Sequence, residues 1–181
     1  IKMIMDAFAR SWNPFFLSKA EKNNGKNLDI EEPFFAQLSL IFIAGLVVSF
    51  FSEELIYLLT NESFYFSRYI VPSYIFYFLF GSIGFLSLPQ FMFSEKMIYT
   101  LPISILNVII NISLNLYLIP KYASIGAVIS ILVSSSFVAF FQFFLGQKAM
   151  RLELNKIRLI CFFLIYAIFF AIIHILLISD L

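Results

Sequence analysis

The sequence NVIINISLNLYLIPKYASIGAVIS, residues 107–130, contains the features that decide the fold. An apolar run carries Asn107, Asn111 and Asn115, turns at the Pro-Lys-Tyr of 120–122, and resumes with small residues. Two apolar runs joined by three turn residues predict two neighbouring helices that run in opposite directions. The three amides need an explanation, because polar side chains are expensive on helices surrounded by hydrocarbon.

The composition of the whole chain indicates a membrane protein. Hydrophobic residues make up 61% of 181 positions and charged residues 13%, against about 45–50% and about 25% in soluble domains. A single cysteine excludes a disulfide framework. One Cys and one His supply neither a metal-ligand set nor a catalytic constellation. We therefore expect no enzyme activity, no catalytic residue, no metal, no cofactor and no nucleic-acid partner.

Five runs without Asp, Glu, Lys or Arg are long enough to cross a bilayer, and each is predicted to be helical. They are 34–51, 69–93, 97–119, 123–146 and 159–178. Residues 1–33 are predicted to be the end of a truncated helix, terminated by Pro14 and the polar run 21–27, followed by a cytoplasmic loop. The predicted fold class is an all-α polytopic membrane bundle over 34–181, with about five transmembrane helices plus the tail of a sixth.

The distribution of basic residues predicts the orientation of these spans. Ten Lys and Arg residues fall on one side and two, Arg68 and Lys121, on the other. Because cytoplasmic loops carry the excess of Lys and Arg, the N-terminal end, the 94–96 turn and the 147–158 loop are predicted to be cytoplasmic. The ten are Lys2, Arg10, Lys19, Lys22, Lys26, Lys96, Lys148, Arg151, Lys156 and Arg158.

The asparagines belong to a polar stripe on the third span. Positions four apart differ by about 40° around a helix, so Thr100, Ser104, Asn107, Asn111 and Asn115 share one face. In a structural interpretation the amides bond to neighbouring helices, for about 0.6–2 kcal/mol each. In a functional interpretation they line a wet cavity and bind a polar cargo. The spacing leaves both open.

The fourth span carries a complementary stripe of small residues. Gly126, Ser130 and Ser134 are also spaced by four, and small residues at this spacing let helix backbones approach closely. We expect this helix-packing face to lie against a neighbour such as the third span. In the second span, Pro72 and Pro89 predict a bend. The segment 55–59, which follows Glu53 and Glu54, is expected near the outer interface.

Two segments resemble signatures of a known family. Residues 115–122, Asn-Leu-Tyr-Leu-Ile-Pro-Lys-Tyr, followed by Ser-Ile-Gly-Ala at 124–127, resemble the Leu-Ile-Pro motif of bacterial polysaccharide exporters. These are the O-antigen and capsule flippases of the multidrug/oligosaccharidyl-lipid/polysaccharide exporter superfamily. Residues 9–16, Ala-Arg-Ser-Trp-Asn-Pro-Phe-Phe, resemble a second segment of the family. The sequence departs at Ala123, where the family usually has Gly, and at Val128, where Ala is common.

The resemblance implies a fold position and a function. The chain would be most of the C-terminal lobe of an exporter, with the other half of the transporter missing. Embedded among membrane lipids of the bacterial inner membrane, it would flip an undecaprenyl-diphosphate-linked oligosaccharide by alternating access, with a proton or sodium ion as a possible coupling ion. The stripe Thr100 to Asn115 would then be the candidate substrate cavity.

Two other functions remain open. A membrane enzyme of the same pathway, an O-antigen polymerase or ligase, usually carries a large outward loop with functional Arg residues. Here the longest outward connection, 52–68, has 17 residues and one Arg. A drug or cation exporter of the same superfamily would be expected to place an acidic residue inside the bundle, and the five predicted spans contain none.

Overall fold

The computed structural model describes the backbone of residues 1–25 and 28–179. Over this part the chain is all helical, with six α-helices, two short 3-10 segments and no strand. Within these ranges, the side chains that are not described are those of residues 63, 66, 68, 69, 156, 170 and 173–179.

The six helices follow one another through short connections. A 3-10 segment at Glu62–Tyr69 precedes the fourth helix and another at Met97–Tyr99 precedes the fifth. The helices are α1 (Lys2–Lys22), α2 (Glu31–Phe50), α3 (Ser52–Leu59), α4 (Val71–Phe93), α5 (Thr100–Ala149) and α6 (Lys156–Ser179).

Three helical stretches in the described part are long and apolar enough to cross a membrane. They are Glu31–Phe50, Val71–Phe93 and Met97–Ala149. In α6 the described apolar section is the shorter Ile157–Phe169. Most side chains in the second half of the predicted span 159–178 lie outside the described residues.

Helix α5 doubles back on itself at Ala123. This residue has φ 48° and ψ −126°, a non-helical conformation inside the helix. Asn111 Nδ2 lies 3.1 Å from Ser134 Oγ, whereas 23 residues of straight helix would separate these positions by about 34 Å. The first arm (100–122) and the second arm (124–149) are therefore antiparallel. The predicted turn residues 120–122 end the first arm, and the reversal falls one residue later.

Contacts between side chains show that the long segments alternate in direction. Trp12 bonds to Phe85 near the middle of α4, and Gly25 lies against Phe93 at its end, so α1 and α4 run in parallel. The second arm is also parallel to α4. Helix α6 is antiparallel to α4 and parallel to α2. The pairs that show this are Gly84 with Gln142 and Gly146 with Gln90 for the second arm, Phe76 with Tyr166 and Phe80 with Phe163 for α6 against α4, and Phe35 with Phe162 and Phe42 with Phe169 for α6 against α2.

Helices α1, α2, α4 and α6 share one apolar core. Phe16 on α1, Phe34 on α2 and Leu79 on α4 have no exposed surface. The first helix was predicted to end at Pro14 and the polar run 21–27. The part concerning Pro14 is wrong, because α1 continues through it to Lys22, whereas the helix does end within the polar run. Burial of side chains in the core on both sides of Pro14 holds this stretch helical despite the lost backbone hydrogen bond. Other members of the core are Trp12, Ala20, Ile30, Phe35, Leu38, Ile41, Ile75, Leu86 and Tyr166.

Pro89 and Trp12 form a matched pair between α4 and α1. Proline lacks a backbone N–H, so Pro89 leaves the carbonyl of Phe85, four residues earlier, without its helical donor. The indole Nε1 of Trp12 donates to this carbonyl at 2.6 Å. The tryptophan therefore replaces the hydrogen bond that the proline removes.

Three connections meet at the end of the bundle where α1 and α4 finish. Gln90 Nε2 donates to the Met150 carbonyl at 2.7 Å, and Ser94 Oγ donates to the Ala149 carbonyl at 3.2 Å. These bonds satisfy carbonyls at the end of α5, which helix geometry leaves without donors. Gly25 and Leu28 line one pocket with Ser94 and Met150. The described parts of the connections 23–30, 94–99 and 150–155 therefore lie together, at the end that the basic residues predict to be cytoplasmic.

Candidate substrate cavity

A cavity of about 350 Å³ lies between α4 and the two arms of α5. Gly81 and Gly84 form part of its wall on α4, and Gly84 lets Gln142 of the second arm approach closely: a Cβ there would lie 3.0 Å from the Gln142 Oε1. The remaining lining residues are Tyr77, Phe80, Asn107, Asn111, Ile131, Ser134, Ser135, Val138 and Ala139.

The outer part of the polar stripe joins the two arms. Asn111 donates to Ser134 Oγ at 3.1 Å, and Asn115 Nδ2 donates to Asn111 Oδ1 at 2.9 Å. The Asn115 Oδ1 is buried and has no partner within the described part of the chain. This relay connects the arms in the way that the structural interpretation of the asparagines requires.

The middle of the stripe is arranged differently. Asn107 and Gln142 line the cavity, and no hydrogen bond to a described residue occupies either amide. Each primary amide offers two N–H donors and a carbonyl acceptor. The cavity therefore presents neutral hydrogen-bonding groups without a fixed charge, an arrangement suited to hydroxyl-rich ligands.

The inner part of the stripe does not reach the cavity. Thr100 Oγ1 donates to the Met97 carbonyl at 2.7 Å, and Ser104 Oγ donates to the Thr100 carbonyl at 2.9 Å. Both hydroxyls bond to their own helix, and Ser104 is exposed. Of the five predicted residues, Thr100 and Ser104 therefore bond to the backbone just before them, and Asn115 bonds to Asn111 on the same arm. Asn111 alone bonds to the second arm and also lines the cavity, while Asn107 only lines the cavity.

The predicted small-residue face lies where the arms meet. A Cβ on Gly126 would stand 2.4 Å from the Leu118 carbonyl oxygen, so only glycine fits. Ser130 is fully buried and donates to the Gly126 carbonyl at 2.8 Å. Ser134, one turn further, accepts the bond from Asn111. The face therefore combines close backbone approach with one hydrogen bond between the arms.

A charged stripe on α1 lies at the same depth as the cavity. Lys2, Asp6 and Arg10 are spaced by four and exposed. Met5 packs against Gly81, the eleventh of the 23 residues of α4. The stripe therefore begins near the middle of α4, and Lys2 does not lie at the basic end to which the sequence assigned it. Without Lys2 and Arg10, the basic residues still divide eight to two.

Helix geometry places this stripe on the cavity side of the α1–α4 seam. Phe8 and Phe15, on one flank of α1, line a small cavity together with Pro33 of α2. Lys2, Asp6 and Arg10 project from the opposite flank, because they lie about 60–140° around the helix from Met5 while Phe8 and Phe15 lie about 60–80° the other way. Gly81, which Met5 touches, also lines the cavity. A charged face and an amide face thus flank the same part of α4.

Sequence reasoning missed Gln142 and the charged stripe. Gln142 continues the spacing of the small residues, since Ser134, Val138 and Gln142 are four apart, and extending that pattern by two turns would have found it. The charged stripe had the same spacing signal. Its position beside the cavity depends on how α1 packs against α4, which spacing within α1 does not show.

An exposed ion pair joins α2 to the start of α6 near the basic end. Arg158 Nη1 lies 2.6 Å from Glu32 Oε1 and 3.4 Å from Glu31 Oε1. The hydrogen bond and charge of Arg158 lower the pKa of the Glu32 carboxyl, and Glu32 in turn raises the pKa of the guanidinium. Both groups precede the apolar parts of their helices. The pair is therefore a surface salt bridge between α2 and α6 and is separate from the cavity.

The described residues contain no group of three or more His, Cys, Asp or Glu side chains placed to hold a metal ion. No protein-family model, curated protein or solved structure matches the chain.

Proposed function

We propose that this chain is the C-terminal lobe of a transporter in the bacterial cytoplasmic membrane. Its cargo is an undecaprenyl-diphosphate-linked oligosaccharide, which it moves to the outer leaflet by alternating access for O-antigen or capsule synthesis. The coupling ion would be a proton or sodium. Besides the cargo and the surrounding lipids, the partner is the other lobe of the same transporter.

The alternating helix directions support this topology. In this proposal α2, α4, the two arms of α5 and α6 would make the five predicted crossings, and α1 would be part of a sixth; three of these stretches are long and apolar enough in the described part. The end where 23–30, 94–99 and 150–155 meet carries the excess of Lys and Arg, and we assign it to the cytoplasm.

The observation that carries the proposal is the cavity with unused amides. Moving a sugar through hydrocarbon requires hydrogen bonds that replace those to water, since an unpaired polar group costs about 2–7 kcal/mol in an apolar environment. Asn107 and Gln142 offer such bonds from the wall of the cavity. Lys2 and Arg10 on the neighbouring face supply positive charge for a diphosphate.

A transport assay with matched variants tests the proposal. Asn107→Leu keeps the side-chain size and removes the free amide. We expect export of surface glycan to fall about five- to tenfold, because one lost hydrogen bond is worth about 1–1.5 kcal/mol. Export is measured in cells that depend on this protein, after normalising for its amount in the membrane.

The matched control is Val108→Leu, which changes the adjacent, exposed position and should leave export unchanged. Normal export by a well-expressed Asn107→Leu variant would contradict a role for the cavity in transport. Equal losses in both variants would instead show a general sensitivity of the first arm.

One observation favours the second function, a drug or cation exporter. Asp6 places a carboxylate beside the middle of α4, where the five predicted spans had none. A charged residue at that depth costs about 2.5–3.5 kcal/mol and commonly marks an ion pathway. If Asp6→Asn abolishes resistance to cationic dyes, and removing the whole protein leaves glycan export intact, this second function replaces the first.

A further inference from the structure

Helix α3 has an exposed apolar face, a buried residue at its start and one acidic flank. The side chains of Leu55, Leu58 and Leu59 are exposed and fall within about 100° of the helix circumference. Ser52, on the neighbouring flank, is buried and fixes the side that faces the bundle. Glu54 lies on the remaining flank. A helix with protein, apolar and acidic faces has the pattern of an element that lies in a membrane interface.

The apolar face continues the lipid-facing stripe of α2. Ile43, Val47 and Phe50 are exposed along that helix, which is long and apolar enough to cross a membrane. Only Phe51 separates the two helices. An apolar surface that follows directly from a membrane-spanning face is covered by the same lipid, because a water-exposed patch of this kind would be costly.

Aromatic side chains mark the level of the interface. The Tyr57 and Tyr65 rings meet edge to face at 4.3 Å between centroids, and Phe64 is 59% exposed. Tyrosine is enriched at membrane–water boundaries, where its ring is apolar and its hydroxyl stays hydrated. These rings follow α3 in the connection that leads back to α4.

We propose that α3 lies in the plane of the bilayer interface at the end opposite the basic connections, with Leu55, Leu58 and Leu59 buried among acyl chains. Its charged residues are Glu53 and Glu54, and it contains no Lys or Arg. Binding therefore rests on apolar area and does not depend on anionic lipids. This inference does not rest on the proposed cargo.

Fluorescent labels at two positions on α3 test the proposal. Cys161, the one cysteine, is replaced by Ser, and Leu58→Cys or Glu54→Cys is labelled with an NBD dye in the full chain, reconstituted in phosphatidylcholine vesicles. We expect position 58 to be quenched by shallow spin-labelled lipids and protected at least threefold from iodide relative to position 54. Adding 30% phosphatidylglycerol should change neither result.

Other outcomes would overturn the proposal. Equal iodide quenching at both positions would place the leucine face in water. Protection of position 58 from both iodide and spin-labelled lipid, with disulfide cross-linking between two unlabelled copies of the Leu58→Cys variant, would mean that a second copy of the chain covers the face. Lipid contact only in vesicles with phosphatidylglycerol would make the attraction electrostatic. Since Leu58 is 81% exposed, its replacement leaves the fold intact.

Discussion

The two sides of α4 are packed by different chemistry. Towards α1, α2 and α6 it meets large apolar side chains, such as Phe16 and Phe34, that leave no exposed surface. Towards α5 it meets small and polar residues, with buried Ser134 and Gly146 on the second arm and a cavity at its middle. The first side is an apolar aromatic core, and the second is a polar seam.

The difference shows how one helix can serve both stability and function. In a bilayer, apolar residues gain little from leaving lipid, so cohesion comes from close packing and hydrogen bonds. Interlocking aromatic rings supply packing on one side. On the other, glycine and serine allow backbones to approach, and the amides between them leave room for a polar ligand. Substitutions on the two sides should therefore have different effects.

The largest effect is expected from opening the aromatic core. Phe16→Ala removes a ring with no exposed surface and should lower the free energy of unfolding by about 3–4 kcal/mol, through lost contacts and the cavity left behind. Thermal unfolding in detergent measures the change. Phe15→Ala, at a position 37% exposed, is the control and should cost less than half as much; equal losses would refute a tightly packed core.

The next effect is expected from overfilling the contact between the two arms of α5, which adjoins the polar seam. Gly126→Ala places a methyl group 2.4 Å from the backbone oxygen of Leu118, which cannot rotate away. We expect a loss of about 2–3 kcal/mol in unfolding free energy, typical of overpacking. The control is Gly81→Ala, whose Cβ would lie at an ordinary 3.5 Å from Met5. If Gly126→Ala left the unfolding free energy unchanged, the two arms would have to be further apart at this position than the 2.4 Å approach to Leu118 indicates.

A third substitution removes a polar group from the apolar side. Gln37 is 2% exposed, and neither Oε1 nor Nε2 has a partner in the described part of the chain. Gln37→Leu should raise the unfolding free energy by about 1–2 kcal/mol, because an unsatisfied amide is replaced by an apolar group. Asn111→Leu, which breaks a bond between the arms, should instead lower it. A destabilised Gln37→Leu would show that the amide has a partner.

A smaller gain is expected where the chain reverses. Ala123 adopts φ 48°, which costs an L-residue about 1–2 kcal/mol and glycine almost nothing. Ala123→Gly should therefore stabilise the protein by about 1 kcal/mol, while Ala127→Gly, at an ordinary helical position of the second arm, should destabilise it. If the unfolding midpoints of Ala123→Gly and Ala127→Gly moved in the same direction, the result would contradict backbone strain at Ala123.

The smallest effect concerns the exposed ion pair and pH. Arg158 lowers the pKa of Glu32, so the pair contributes stability above the unfolded-state pKa and loses it as pH falls through the lower folded value. Glu32→Gln should remove this dependence below about pH 4.5 and change little near pH 7. Unfolding midpoints at several pH values measure it, with Glu54→Gln as the control. Identical acid profiles for Glu32→Gln and the unmodified chain would exclude the linkage.

Sequence patterns predicted the helices but not how they share surfaces. The apolar runs predicted α2, α4 and both arms of α5, because lipid selects continuous apolar length, and the turn prediction missed the reversal by one residue. The amides of Asn107 and Asn111 could be placed on one face. The register between the two arms decides which amide bonds to the second arm and which stays free. That register cannot be predicted from the spacing of residues within one helix.

The course of α1 was predicted less well for a related reason. Proline usually ends or bends a helix, so Pro14 predicted a helix end. The burial of Trp12 and Phe16 on either side of it keeps α1 helical through this position. Asp6 lay within the predicted helix end, but no pattern in the sequence showed which neighbouring helix it would face. Its depth beside α4 follows only from Met5 meeting Gly81, a contact between residues 76 positions apart.

The bond from Trp12 to the Phe85 carbonyl fixes how far α1 can slide. Along this stretch of α4, only the Phe85 carbonyl, four residues before Pro89, lacks its helical donor. The indole N–H of Trp12 therefore has a single acceptor there. Moving α1 by one turn would leave the indole N–H and the Phe85 carbonyl without a hydrogen-bond partner and away from water. Each unsatisfied group would then destabilise the protein by about 1–3 kcal/mol. Whatever conformational cycle the protein follows, these two helices should travel as one rigid body, and the motion must be taken up elsewhere in the bundle.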